Sequence, residues 1–175
     1  HPCVGVLITS DKCYDNVEWA WGYRENDKLG GPDPYSASKA AAEIAIASWR
    51  SSFAGRGPNQ NPNIYIASAR AGNVVGGGDW SPDRIIPDAI RALTNGQPIA
   101  LRNPQATRPW QHVLEPLSGY LLLASKLYTS KKDFCEPYNF GPVTTSNRTV
   151  QELIDEILQY WPGSCTNSPL TKASA

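Results

Sequence analysis

Tyr35 and Lys39 stand four residues apart at what reads as the start of a helix, and together they could move a proton. Residues at this spacing share one helix face. An ammonium beside a phenol favours the phenolate, drawing the tyrosine toward the range in which it exchanges protons with a substrate hydroxyl. The same spacing also describes a half-buried ring beside a solvated charge, so the pair gains weight only from its neighbours. A second polar group lies upstream, where Thr9, Ser10, Asp11 and Lys12 follow the apolar run Val4–Ile8. Hydroxyl, carboxylate and amine thus gather at the carboxyl end of an expected strand, where open α/β sheets bind ligands, although such residues are also ordinary loop chemistry.

The elements that must hold these groups are legible in outline. Asp33 suits an N-cap and Pro34 the first helical position, and Ala40-Ala41-Ala42-Glu43 continues with strong helix formers, so a helix is expected from Pro34 to about Phe53. It carries Ile44, Ile46 and Trp49 among small alanines, and Gly55-Arg56-Gly57-Pro58 ends it. Val4–Ile8 reads as a strand buried on both faces of a parallel sheet, and Ile64–Arg70 as the next strand. A short helix from Pro87 to about Asn95 should turn Ile90 and Leu93 to a core, and Pro98–Pro104 should be extended. A helix from Pro116 to near Ser130 has Leu117, Leu121, Leu122 and Leu127 spaced for burial, before a short strand at Pro137–Pro142. Thr149 and Glu152 form a capping-box pattern ahead of the stripe Val150, Leu153, Ile154, Ile157, Leu158 and Trp161, which Pro162-Gly163 stops. Ser164–Ala175 is small, polar and expected to be frayed. These elements imply an α/β fold.

The run Asp33-Pro34-Tyr35-Ser36-Ala37-Ser38-Lys39 resembles the Tyr-x-x-x-Lys signature of the extended short-chain dehydrogenase/reductases, which modify nucleotide sugars with bound NAD. The aromatic segment Glu18-Trp19-Ala20-Trp21-Gly22-Tyr23-Arg24-Glu25-Asn26-Asp27 reads by itself as a loop whose rings pack on the sheet edge or cover a ligand. Leading through Leu29-Gly30-Gly31 to Tyr35, it resembles the insert of one branch, the CDP-glucose 4,6-dehydratases, as does Leu101-Arg102-Asn103-Pro104 through Thr107-Arg108-Pro109-Trp110-Gln111-His112-Val113. The resemblance implies a partial Rossmann-like doubly wound parallel sheet over residues 1–80, and part of a smaller α/β substrate-binding region over 81–175.

It also implies roles. Tyr35 would take the proton of the sugar 4-hydroxyl, Lys39 would hold the nicotinamide ribose of NAD, and Ser10 would be the catalytic hydroxyl. Asp11 and Lys12 stand where related dehydratases carry an Asp-Glu pair for the elimination of water. A lysine base must be neutral to act, which takes desolvation or a nearby positive charge. Asn73, Arg84, Arg102 and Arg108 would contact the substrate, CDP-glucose. Arg108 is the favoured diphosphate ligand, since a guanidinium offers paired donors and keeps its charge, although an unplaced arginine is commonly just surface. The Tyr35 helix would help form a homodimer.

The rest of the sequence narrows the class. Sixteen basic and sixteen acidic residues leave no net charge, so nothing points to nucleic acid. No apolar run approaches the ~20 residues of a membrane span. Cys3, Cys13, Cys135 and Cys165 form no C-x-x-C pair, which argues against a metal site and for reduced thiols in a cytoplasmic protein. Lone His112 reads as structural, and the Asn147-Arg148-Thr149 sequon as chance. The chain has no methionine, opens on His1-Pro2-Cys3 and has no G-x-G-x-x-G or G-x-x-G-x-x-G turn to cradle a pyrophosphate; Gly76-Gly77-Gly78 is not one. It is therefore expected to be the middle of a family member, inactive alone. The alternatives are a non-catalytic fragment that keeps a nucleotide-sugar pocket or a dimer face, and another NAD-dependent epimerase or dehydratase.

Overall fold

The computed structural model describes residues 2–54, 59, 61 and 63–168. The expected helix stop at 55–58 lies outside them. The chain forms two compact units. The first runs to Val74 and takes in Gln111–Gly141, and the second comprises Val75–Trp110 and the residues from Pro142 onward. The division differs from a single cut after residue 80, because the 111–141 segment carries a strand that joins the first unit's sheet.

That sheet is parallel and ordered β1-β2-β7, from β1 (Cys3–Ile8), β2 (Ile64–Ala71) and β7 (Pro137–Phe140). Val6 sits opposite Ala67, and Ala69 opposite Tyr138. Side chains alternate across it. On one face Tyr65 and Ala67 pack with Leu123, Leu127 and Cys135 of the segment containing α3 (Leu114–Ser130), with Val4, Val6 and Phe140 around them. On the other, Ser68 and Arg70 bond to Glu43 of α1 (Pro34–Ser52). Helices on both faces are what a doubly wound sheet requires.

Two local expectations are corrected here. β1 is not buried on both faces, since Leu7 and Ile8 are exposed at its carboxyl end. Leu117, Leu121 and Leu122 of α3 are also exposed, and the buried line is Pro116, Leu123 and Leu127. α3 carries leucine on several sides, so spacing alone did not single out the face that meets the sheet.

The second unit has α2 (Ile85–Thr94), β4 (Ile99–Leu101), α4 (Val150–Tyr160) and β9 (Cys165–Asn167). Ala89, Leu93, Ile99, Leu101 and Ile154 form its core. β9 pairs in parallel with β4, so 165–167 is not frayed: Ile99 N–H bonds to Ser164 O at 2.8 Å, and Ser168 N–H to Leu101 O at 2.8 Å. A small antiparallel pair joins β5 (Thr107–Arg108) to β8 (Arg148–Thr149). The remaining short strands are β3 (Val74–Val75) and β6 (Gln111–His112).

Candidate active site

α1 starts where its sequence dictates. Asp33 Oδ1 accepts from the N–H groups of Tyr35 and Ser36, both at 3.0 Å, and Oδ2 from the Ser36 hydroxyl at 2.6 Å. These bonds to Ser36 and Tyr35 hold the Asp33 carboxyl below its usual range. With two of its N-terminal backbone donors and the Ser36 hydroxyl tied to one carboxylate, the first turn presents Tyr35 outward, 55% exposed. Lys39 lies one turn on, half-buried, with Nζ 5.5 Å from the Tyr35 ring centroid. The pair expected from spacing is therefore in contact.

Ser10, Asp11 and Lys12 follow β1 in one 3-10 turn. Ser10 Oγ donates to Asp11 Oδ1 at 3.0 Å and accepts from the Lys12 N–H at 3.2 Å. α1 packs against this turn, so the two sets of polar residues share the carboxyl end of the sheet. Asp11 is half-buried, whereas Lys12 is exposed. Asn73, beyond the end of β2, is half-buried, and its carbonyl accepts from the Gln111 N–H at 3.1 Å.

Beneath these groups lies a buried network that sequence reasoning missed. Glu43 stands four residues beyond Lys39 on the same face of α1, and its carboxylate accepts from Thr9 Oγ1, from Ser68 Oγ at 2.8 Å and from Arg70 at 2.7 Å. Burial alone would raise its pKa, but the bonds from Arg70, Thr9 and Ser68 prevail and hold it below the usual range. Arg70 also donates to Tyr14 Oη at 2.7 Å and to Glu25 O at 3.0 Å, and Tyr14 Oη donates to Asn139 Oδ1 at 2.7 Å. The Tyr-x-x-x-Lys-x-x-x-Glu spacing was the one signal that could have drawn attention to Glu43.

The aromatic insert is a built loop. Tyr14 and Leu29 close its base in an antiparallel bridge, and Tyr23 stacks on Tyr14 at 5.0 Å. Trp19 packs on Tyr23 at 5.1 Å, and Asn139 Nδ2 donates to Tyr23 O at 2.9 Å. Of the two readings, packing on the sheet edge accounts for Tyr23, while Trp21 remains 68% exposed.

The arginines expected at the substrate lie in the second unit. Arg84 is 4.0 Å from Asp79, and Arg102 is paired with Asp83. Arg108, half-buried, donates to Thr107 O at 2.8 Å. Among the described residues no group of three or more His, Cys, Asp or Glu is placed to hold a metal ion, and no helix is long and apolar enough to cross a membrane.

Residues 6–141 match the NAD dependent epimerase/dehydratase family. The chain belongs to that family. CDP-glucose 4,6-dehydratase of Salmonella typhimurium is 52% identical over 156 residues, covering 89% of this chain and 44% of that protein. The chain thus spans less than half the length of this relative. The fold is shared with dTDP-glucose 4,6-dehydratase from Bacillus anthracis, solved in complex with NAD (TM-score 0.73, 21% identity, 95% of this chain and 49% of that one). It is shared also with UDP-glucuronic acid 4-epimerase from Bacillus cereus (TM-score 0.76, 19% identity, 96% and 48%). The family uses NAD, and the residues present fit one end of it: Lys39, half-buried beside an exposed phenol at the strand ends, suits a ribose hydroxyl. For the pyrophosphate, this sequence holds no Gly-rich turn between strand and helix.

Proposed function

We propose that the chain carries the acid/base segment of an enzyme that dehydrates CDP-D-glucose to CDP-4-dehydro-6-deoxy-D-glucose. The observation that carries this reading is the 52% identity over 89% of the chain, and the placement of Lys39 beside Tyr35 supports it. The hydride acceptor for the sugar C4 and the hydride for C6 would be supplied by bound NAD. Tyr35 accepts the 4-hydroxyl proton, Lys39 stabilises the phenolate and holds the nicotinamide ribose, and Ser10 donates a hydrogen bond to the 4-oxygen. Asp11 protonates the departing 6-hydroxyl. Lys12, exposed beside Asp11, removes the C5 proton and returns one to C5 when the hydride reaches C6. Asn73 in the first unit and Arg84, Arg102 and Arg108 in the second are the proposed substrate-binding residues, with Arg108 the diphosphate ligand.

Trp49 on α1 and Phe53, the residue that caps its carboxyl end, are exposed and in ring contact at 5.0 Å. This apolar patch supports a homodimer through the carboxyl end of α1, which light scattering before and after W49D would test.

The function is tested by grafting the chain into the Salmonella typhimurium relative in place of its matching segment. Loss of 18 Da from CDP-glucose, followed by mass spectrometry, is the expected outcome. A folded, NAD-binding graft that leaves CDP-glucose intact would sink the reading. For the chain by itself, the missing Gly-rich turn favours a second reading, substrate binding without turnover. Calorimetry should then find weak CDP binding and no NAD binding; ordinary NAD affinity would overturn it.

A further inference from the structure

The register of β5 and β8 puts Arg108 directly opposite Arg148. Residues directly opposite in an antiparallel pair project on the same side, so two guanidinium groups share one small surface, and like charges so placed repel. Their surroundings do not relieve this. In the same unit Arg84, Arg91 and Arg102 each have an aspartate partner, whereas among the described residues no carboxylate forms an ion pair with Arg108 or Arg148. Arg108 donates to Thr107 O, and Arg148 to Thr145 O and Asn147 O, both at 3.0 Å. Glu152 feels the Arg148 charge, but its carboxylate is engaged by the Thr149 N–H at 2.7 Å and the Thr149 hydroxyl at 2.9 Å.

The backbone fixes the pair in place. Val150 N–H bonds to Ala106 O at 3.0 Å and Gln151 N–H to Pro104 O at 2.9 Å, stapling the first turn of α4 to the loop that leads into β5. Those two helix donors are thereby occupied, so a ligand here would have to be met by side chains such as the two guanidinium groups.

We infer that Arg108 and Arg148 form a two-arginine clamp for a diphosphate, in which Arg148 is a binding residue in its own right. This rests on the reading of Arg108 given above and adds the second arm. Two planar forks facing one side match two adjacent phosphates, and the dianion removes the repulsion that the register creates.

The test uses the chain as it stands, with CDP, UDP, CMP and inorganic pyrophosphate as probes in calorimetry and thermal melts. R108A and R148A should each weaken CDP, UDP and pyrophosphate by about tenfold, with CMP, which has a single phosphate, affected least. R148K should lie between, since it keeps the charge and loses the fork. Without ligand, R148A should melt no lower than the parent chain, because it also removes a like charge, whereas pyrophosphate should no longer raise its melting point. Unchanged CDP and pyrophosphate affinity in R148A, or no binding of either probe by the parent chain, overturns the clamp. If R108A alone loses CDP, the clamp fails and the substrate reading stands. If both arginines serve pyrophosphate and UDP but cytidine brings no preference, the clamp stands and the cytidine assignment fails.

Discussion

Glu43 and Arg70 meet at 2.7 Å with their side chains 2% and 3% exposed, joining helix α1 to strand β2. A buried pair adds little net stability over apolar packing, yet breaking one partner leaves the other charge without compensation. Glu43→Ala should therefore cost about 3–5 kcal/mol in denaturant unfolding. The pair also sets a pH dependence. The Glu43 pKa is lowered from 4.5 by folding, so its stabilisation is fully present above 4.5 and is lost as pH falls through the lower folded value. Melting points from pH 7 to pH 3 should drop more steeply for the parent chain than for Glu43→Gln; parallel curves would refute the linkage.

The cysteines separate by burial. The Cys13 thiol is buried, and burial pushes its pKa up to about 11 against the opposing pull of Arg70. Cys3 is exposed. Only the thiolate attacks an alkylating agent. Iodoacetamide at pH 8, read by peptide mass spectrometry, should modify Cys3 within minutes and leave Cys13 and buried Cys135 unmodified until denaturant is added. Early labelling of Cys13 would show that the turn after Ser10 opens readily.

The features legible in the sequence are those that neighbours in the chain decide. Asp33, Pro34 and the alanines determine where α1 begins, and Thr149 with Glu152 determines where α4 begins, because caps act over three residues. Lys39 beside Tyr35 follows from helical pitch. The Glu43–Arg70–Tyr14 network was not legible, for its members lie 27 and 56 residues apart and a lone Glu within an alanine run reads only as a helix former. Arg148 escaped notice for the same reason: its meaning comes from a cross-strand partner forty residues away. β9 was missed because Cys165-Thr166-Asn167 has little apolar character, and its strand state comes from pairing with β4.

Gly119 lies on the sheet side of α3 against the edge of the Phe140 ring, where any Cβ would overlap it. Phe140 is also held edge-on to Tyr120 at 5.2 Å and 87°. Gly119→Ala gains helix propensity but overpacks this contact, so a net loss of about 1–3 kcal/mol is expected. Adding Phe140→Leu should recover part of it. A stabilised single variant in thermal melts would mean that α3 can shift on the sheet.

The separation of chemistry from stability gives the sharpest test of the acid/base assignment. Tyr35 is exposed, and its contact with Lys39 across the helix surface stabilises α1 only slightly, so Tyr35→Phe should leave the melting point of the chain nearly unchanged. In the grafted relative, however, the proposed assignment makes the phenol oxygen the acceptor of the 4-hydroxyl proton, so turnover should fall by about 10²–10⁴-fold on its removal. Glu43→Gln supplies the contrast, since it should lower the melting point and reduce turnover only through displacement of α1. If Tyr35→Phe instead melts early and retains turnover, the exposed phenol is part of the scaffold and the proton goes elsewhere, with Ser10 and Asp11 the next groups to replace.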